Sequence, residues 1–252
     1  MAVMKTPLIK TREATRQVTA HRKAPRTAVL MVNLGTPDAP TAPALRRYLK
    51  QFLSDSRVIE VPKPIWWLIL NGIILPFRAP KSAKAYASIW TQNGSPLLIQ
   101  NRALAHKLEH ELHKTLPRVD VMLAMSYGQP SIDQAIDRLR AENIQRLLVL
   151  PMYPQYSATT TGSVFDAVTT SLQRLRWVPE LRFINDYCNE PSWLDAITDS
   201  IRKYRAEHGT AEQLVFSFHG IPKRNLQLGD PYYCQCQASA RQIVDRLGLP
   251  DG

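Results

Sequence analysis

The chain has 252 residues, 44% hydrophobic and 21% charged, which is the composition of a globular protein long enough for one large core or two smaller ones. Its net charge is +11, but Lys5, Lys10, Arg12, Arg16, Arg22, Lys23 and Arg26 oppose only Glu13 within residues 1–26, so more than half of the excess sits on a tail. That argues against nucleic acid as a partner, because a nucleic-acid face interleaves basic and aromatic side chains on a folded surface. Three cysteines, Cys188, Cys234 and Cys236, are too few and odd in number for a disulfide framework. They fit a reducing compartment, and Cys234-Gln235-Cys236 has no second pair with which to hold a metal.

Residues 1–26 carry no apolar segment of a secretory signal. Their Thr- and Arg-rich, acid-poor composition suits a transit peptide or a disordered basic tail, and the tail is the expectation. Ala28 to Leu34 is a continuous apolar run, the pattern of a strand buried on both faces. Gly35-Thr36-Pro37-Asp38 turns the chain, and Leu45, Tyr48, Leu49 and Phe52 recur at helical spacing. This strand–loop–helix unit lacks G-x-G-x-x-G and any P-loop lysine, so it does not read as a nucleotide site.

Residues 64–77 are apolar nearly all round and too short to span a bilayer. Trp66 and Trp67, adjacent on a helix, point to different faces, so one core cannot easily bury both. An exposed apolar lip touching membrane or a greasy ligand is expected there, with a core helix as the alternative. Lys81 to Trp90 reads as helix, and Asn93-Gly94-Ser95-Pro96 as a turn into a long amphipathic helix. On that helix His106, His110 and His113 have ligand-like spacing, but Glu109, Glu111 and Lys114 among them indicate a solvated face.

Val119 to Tyr127 is the second strand, with a return helix marked by Ile132, Ala135, Ile136 and Leu139. Arg146 to Met152 is the third. The following stretch, Tyr153 to Ser163, is dense in hydroxyls ahead of a helix, which suits either an anion site or caps and turn bonds. A fourth strand is expected over Leu181 to Ile184, then a helix over 191–207. A fifth apolar run, Leu214 to Phe218, reads as a buried strand ending at His219-Gly220-Ile221-Pro222, before a last helix with Ile243, Val244 and Leu247. Ligands of open α/β sheets sit beyond the carboxyl ends of the strands, which would bring His219 to a substrate. The regular alternation predicts an α/β fold with a mostly parallel, doubly wound architecture. The expected division is a first half over 27–180 and an incomplete second half over 181–252.

Four stretches taken together resemble the ferrochelatase family. They are Val32-Asn33-Leu34-Gly35-Thr36-Pro37, Gly94-Ser95-Pro96, Pro151 to Ser157 with Thr160-Thr161-Gly162, and Ser217 to Pro222. The resemblance runs in order from about residue 27 to the end. It implies two similar Rossmann-like halves flanking a porphyrin cleft, and insertion of ferrous iron into protoporphyrin IX to make protohaem. Carried over by position, His219 is the metal-site and proton-abstracting histidine. Arg78 and Ser95 fall where the family holds propionates, Tyr86 and Tyr127 where aromatics line the macrocycle pocket, and Leu34 where a side chain packs on the macrocycle face. Iron enters as substrate, and no iron–sulfur cluster is expected from three cysteines. The resemblance also implies a cytoplasmic enzyme with peripheral membrane contact through 64–77. The family's metal-site carboxylate lies beyond the stretch matched here, so inactivity of this chain alone is expected. A non-catalytic porphyrin- or haem-binding module and a chelatase for another metal or tetrapyrrole are the alternatives.

Overall fold

The computed structural model describes residues 25–249; the basic tail expected over 1–26 lies, up to residue 24, outside them. Four strands form one wholly parallel sheet: β1 (Arg26–Thr36), β2 (Val119–Gly128), β3 (Ile144–Pro151) and β4 (Glu180–Phe183), in the order β2-β1-β3-β4. The helices are α1 (Ala42–Leu53), α2 (Lys63–Ile69), α3 (Leu75–Ile89), α4 (Pro96–His113), α5 (Ile132–Ala141), α6 (Ser163–Leu172), α7 (Pro191–His208), α8 (Lys223–Gln227) and α9 (Tyr232–Leu247).

The period of two in β1 explains the layering. Ala28, Leu30 and Val32 point to one face and join Ile136, Leu139, Val164 and Val168 of α5 and α6. Val29 and Met31 point to the other and meet Ala105 of α4. A central strand covered on both faces must be apolar throughout, and this one is. The outer strand β4 is short and exposes Glu180, and charge there discourages pairing with another chain. Because β4 hydrogen-bonds to β3, the strand expected to open the second half lies on the edge of this first sheet.

One predicted element is absent. Leu214 to Phe218 runs without regular structure, with Val215 81% exposed. Apolar patterning supplies a strand's side chains but not its ladder, and a lone strand leaves its backbone groups unpaired. Among the described residues no strand follows β4, so this run has nothing to pair with.

Residues 64–77 form not one helix but α2, a π-helical turn over Leu70–Ile74 and the start of α3. Pro76 has no amide hydrogen to give to the preceding turn, and the helix widens just before it. Leu70 and Leu75 are buried, whereas Ile65, Trp67, Leu68, Ile73 and Phe77 are exposed, Trp67 by 60% and Phe77 by 75%. Trp66 turns inward, and its indole N–H donates to the Leu53 carbonyl at 2.6 Å. The two adjacent tryptophans therefore part company, and the run is an exposed lip on a buried footing.

Candidate functional site

The order β2-β1-β3-β4 reverses direction between β1 and β3, and the crevice beyond the carboxyl ends of such strands is where open α/β sheets bind ligands. At that end β1 and β2 approach closely at Gly35, whose φ is +108°. A Cβ built there would lie 1.7 Å from the Tyr127 carbonyl oxygen.

An apolar and aromatic cluster covers these strand ends. Tyr48, Leu70, Leu75 and Tyr127 are among its buried members, and Leu34, Phe52, Trp66 and Tyr86 are among those that pack half-buried around them. The Tyr127 ring tilts against Phe52 at 5.0 Å between centroids, and Tyr48 meets Tyr86 edge-on at 6.5 Å. Leu34, Tyr86 and Tyr127, distant in sequence, are thus assembled on one floor beside the lip. The Tyr127 hydroxyl donates to Asp55 Oδ2 at 2.7 Å and lies 3.0 Å from Ser163 Oγ. Burial holds this phenol above its usual pKa, and Asp55 adds to the shift against the opposing Ser163 contact.

Arg78 is exposed on α3, one turn from buried Leu75, and no ion pair involving it is present among the described residues. Ser95 is buried at the N-terminus of α4 without capping it through its side chain. It lines a separate cavity of about 400 Å³ with Thr36, Asp38, Trp90 and Arg102.

The hydroxyl-rich loop after β3 has donors suited to an anion, but one of the chain's own carboxylates takes them. Asp230 Oδ2 accepts the Ser157 hydroxyl at 2.9 Å and the Ala158 N–H at 2.8 Å, while Oδ1 accepts the Tyr232 N–H at 3.0 Å. The Tyr156 N–H donates to Gln235 and the Gln155 amide to Ser239, so the loop docks along α9. In the sequence Asp230 stands in a short turn ahead of the last helix. Its one local signal is Asp-Pro ahead of a helix, a turn-initiating pair.

His219 is exposed and lines an open cavity of about 540 Å³ with Phe218, Ile221, Leu226, Tyr232 and Cys236. No carboxylate lines that cavity, and among the described residues no group of three or more His, Cys, Asp or Glu side chains is placed to hold a metal. The Tyr232 phenol is raised by burial and by the Cys236 thiol beside it, against a backbone hydrogen bond from His219. The cavity is lined by residues 218–237 only, so Leu34, Tyr86 and Tyr127 are not part of it. An ion pair of 3.0 Å between Arg224 of α8 and Glu60 nevertheless ties this segment to the loop before the lip.

The remaining motifs are structural. His106 and His110 are exposed, and His113 Nε2 lies 2.8 Å from the Val119 carbonyl oxygen. Cys188 and Cys236 are buried and Cys234 is exposed, all as free thiols; burial pushes the Cys188 thiol up to about 11. No helix among the described residues is long and apolar enough to cross a membrane.

A family model described as ferrochelatase matches residues 26–251. The chain is 56% identical over 225 residues to a ferrochelatase of Thioalkalivibrio sulfidiphilus (strain HL-EbGR7), covering 89% of this chain and 61% of that protein. Ferrochelatases of Polaromonas sp. (strain JS666 / ATCC BAA-500) and Nitrosococcus oceani are 53% and 51% identical, covering 91% and 92% of this chain and 64% and 63% of theirs. The chain therefore spans a little under two thirds of the length of these curated relatives.

Proposed function

The chain belongs to the ferrochelatase family, and from this we propose that it carries the porphyrin-binding floor and the metal-site histidine of an enzyme that inserts ferrous iron into protoporphyrin IX. On this reading the β1–β4 sheet with its lip is the first half of the enzyme, and the segment from residue 185 onward begins the second. The observation that carries the reading is the assembly of half-buried Leu34 and Tyr86 over buried Tyr127, beside an exposed apolar lip at the carboxyl ends of the strands. A planar, greasy macrocycle with carboxylates on one edge matches such a surface. Its burial is worth about 25 cal/mol per Å² of apolar area, and Arg78, exposed beside Phe77, suits bidentate pairing with a propionate. Ser95, buried in its separate cavity, does not stand beside Arg78 at this edge.

Metal insertion exchanges two pyrrole N–H protons for one divalent cation, so charge balances when both protons leave. An imidazole, with an ordinary pKa near ~6.5, can accept a proton or ligate iron at neutral pH. We assign His219 this place, as general base or as the ligand that hands the cation over. A carboxylate opposite would receive the second proton and steady the incoming charge. The His219 cavity contains none, so we expect this chain alone to bind porphyrin without metallating it. That same observation favours the second reading, a non-catalytic porphyrin-binding module. The greasy substrate and the exposed Ile65, Trp67, Leu68, Ile73 and Phe77 together suit a cytoplasmic protein resting on a membrane surface.

The test is anaerobic iron insertion into protoporphyrin, followed by absorbance, for this chain and for one extended to the length of its relatives. Insertion by the extended chain alone supports the assignment. Insertion by neither, with a shifted porphyrin band in both, establishes the binding module instead. A metal-competition series in the extended chain separates iron from other divalent cations.

A further inference from the structure

We propose that Asp55 is a positioning residue for the macrocycle site, and that the turn carrying Asp55 and Arg57 is the anchor on which the apolar lip rests. The proposal rests on the porphyrin-binding reading of that site. The turn lies between α1 and α2, where composition marks nothing. Yet its side chains reach two elements far away in sequence, β2 and α6. Asp55 Oδ2 accepts the Tyr127 hydroxyl from β2 at 2.7 Å and also the Ser163 hydroxyl at the start of α6. Asp55 Oδ1 accepts the Arg57 N–H at 2.8 Å, and the Asp55 carbonyl accepts the Val58 and Ile59 amides. One carboxylate therefore closes the turn and fastens it to the sheet and to α6.

Arg57 makes a second attachment to the same helix. Its guanidinium grips Asp166 through Nε and Nη2, one turn beyond Ser163. It lies over Gly162, where a Cβ would come within 3.1 Å of Nη1. Three residues further on, Glu60 pairs with Arg224 on the His219 side. The lip begins directly after this, with the Trp66 indole on the Leu53 carbonyl and buried Leu70 and Leu75 as its other footing. Without the Asp55 acceptor, the Tyr127 and Ser163 hydroxyls keep only each other, one of their two buried protons loses its acceptor, and both groups shift to recover one, disturbing the floor and loosening the turn ahead of the lip.

The experiment uses the protein extended to the length of its relatives and compares wild type, Asp55→Asn, Arg57→Gln and Tyr127→Phe. Amide hydrogen exchange across residues 63–77 is read without porphyrin. KM for porphyrin and kcat are then read separately. In Asp55→Asn, lip amides should exchange at least tenfold faster while those of residues 28–32 keep the wild-type rate. The porphyrin KM should rise about 5- to 20-fold with kcat within twofold of wild type. Arg57→Gln, on the surface and not a threat to folding, should speed lip exchange about threefold. Tyr127→Phe, which removes the donor but leaves the turn closed, should raise KM without speeding lip exchange. Wild-type lip exchange in both Asp55→Asn and Arg57→Gln would overturn the anchor. A loosened lip with an unchanged porphyrin KM would overturn the positioning role. If wild type bound no porphyrin, the functional reading would fail on its own, and the exchange rates would still decide the anchor.

Discussion

At position 35 a side chain cannot be accommodated unless the second strand moves, because β1 and β2 meet there backbone to backbone with φ in the left-handed region. Gly35→Ala should therefore destabilise the fold by roughly 2–4 kcal/mol, measured by denaturant unfolding. A loss below about 1 kcal/mol would mean that the strand ends are looser than described. His219→Ala, by contrast, changes an exposed side chain and should leave stability within about 0.5 kcal/mol. In the protein extended to the length of its relatives it should lower kcat for iron insertion by about a hundredfold or more. Unchanged insertion would remove the histidine from the reaction. The residues of this floor were unequally visible beforehand. Leu34 stands within a recognisable stretch, and Tyr86 and Tyr127 lie in a legible helix and strand, whereas Asp55 and Asp230 sit in plain turns. Beyond one local amide each, their partners lie more than 70 residues away, and a polar side chain's distant partner has no local periodicity to reveal it.

Two elements of similar local character came out differently. The lip was read from two adjacent tryptophans that could not share a face, and the inward Trp66 and outward Trp67 follow from helix geometry. Trp67→Ser and Phe77→Ser should each reduce association with anionic liposomes about tenfold, since burying such a side chain is worth roughly 1.5–3 kcal/mol. They should leave unfolding unchanged. Trp66→Ser should do the reverse, costing about 2 kcal/mol of stability with little effect on liposome binding. Equal effects of Trp66→Ser and Trp67→Ser on liposomes would return the stretch to a core role. The run from Leu214 to Phe218 is as apolar as β3, yet it is not a strand. A helix carries its hydrogen bonds within itself, whereas a strand borrows them from a neighbour.

Across the whole molecule, phenols are gathered at the carboxyl end of the sheet. Burial raises Tyr48, Tyr127 and Tyr153 well above the ordinary value, and Tyr187 to about 12. Each binds its proton more tightly when folded than in an unfolded chain, where tyrosine titrates near ~10. Stability from these groups is complete below that pH and is lost as pH rises from there through the folded values. Denaturant midpoints should be flat in this respect up to about pH 10 and fall beyond it. Tyr153→Phe should shallow the fall; an unaltered slope would show that burial does not govern these phenols. The amino-acid order sufficed for the parallel α/β class, for β1 as a strand covered on both faces, for the amphipathic helices and for the lip. Those depend on side-chain periods of 2 and 3.6, which the chain carries locally. Only the tertiary structure decided that β4 closes the first sheet, that Leu214–Phe218 stays unpaired, that Asp230 takes the donors of the hydroxyl-rich loop, and that Asp55 joins its turn to Tyr127 of β2 and Ser163 of α6. Each of these is a matter of which distant groups satisfy a backbone or a carboxylate, and that is settled by packing in three dimensions.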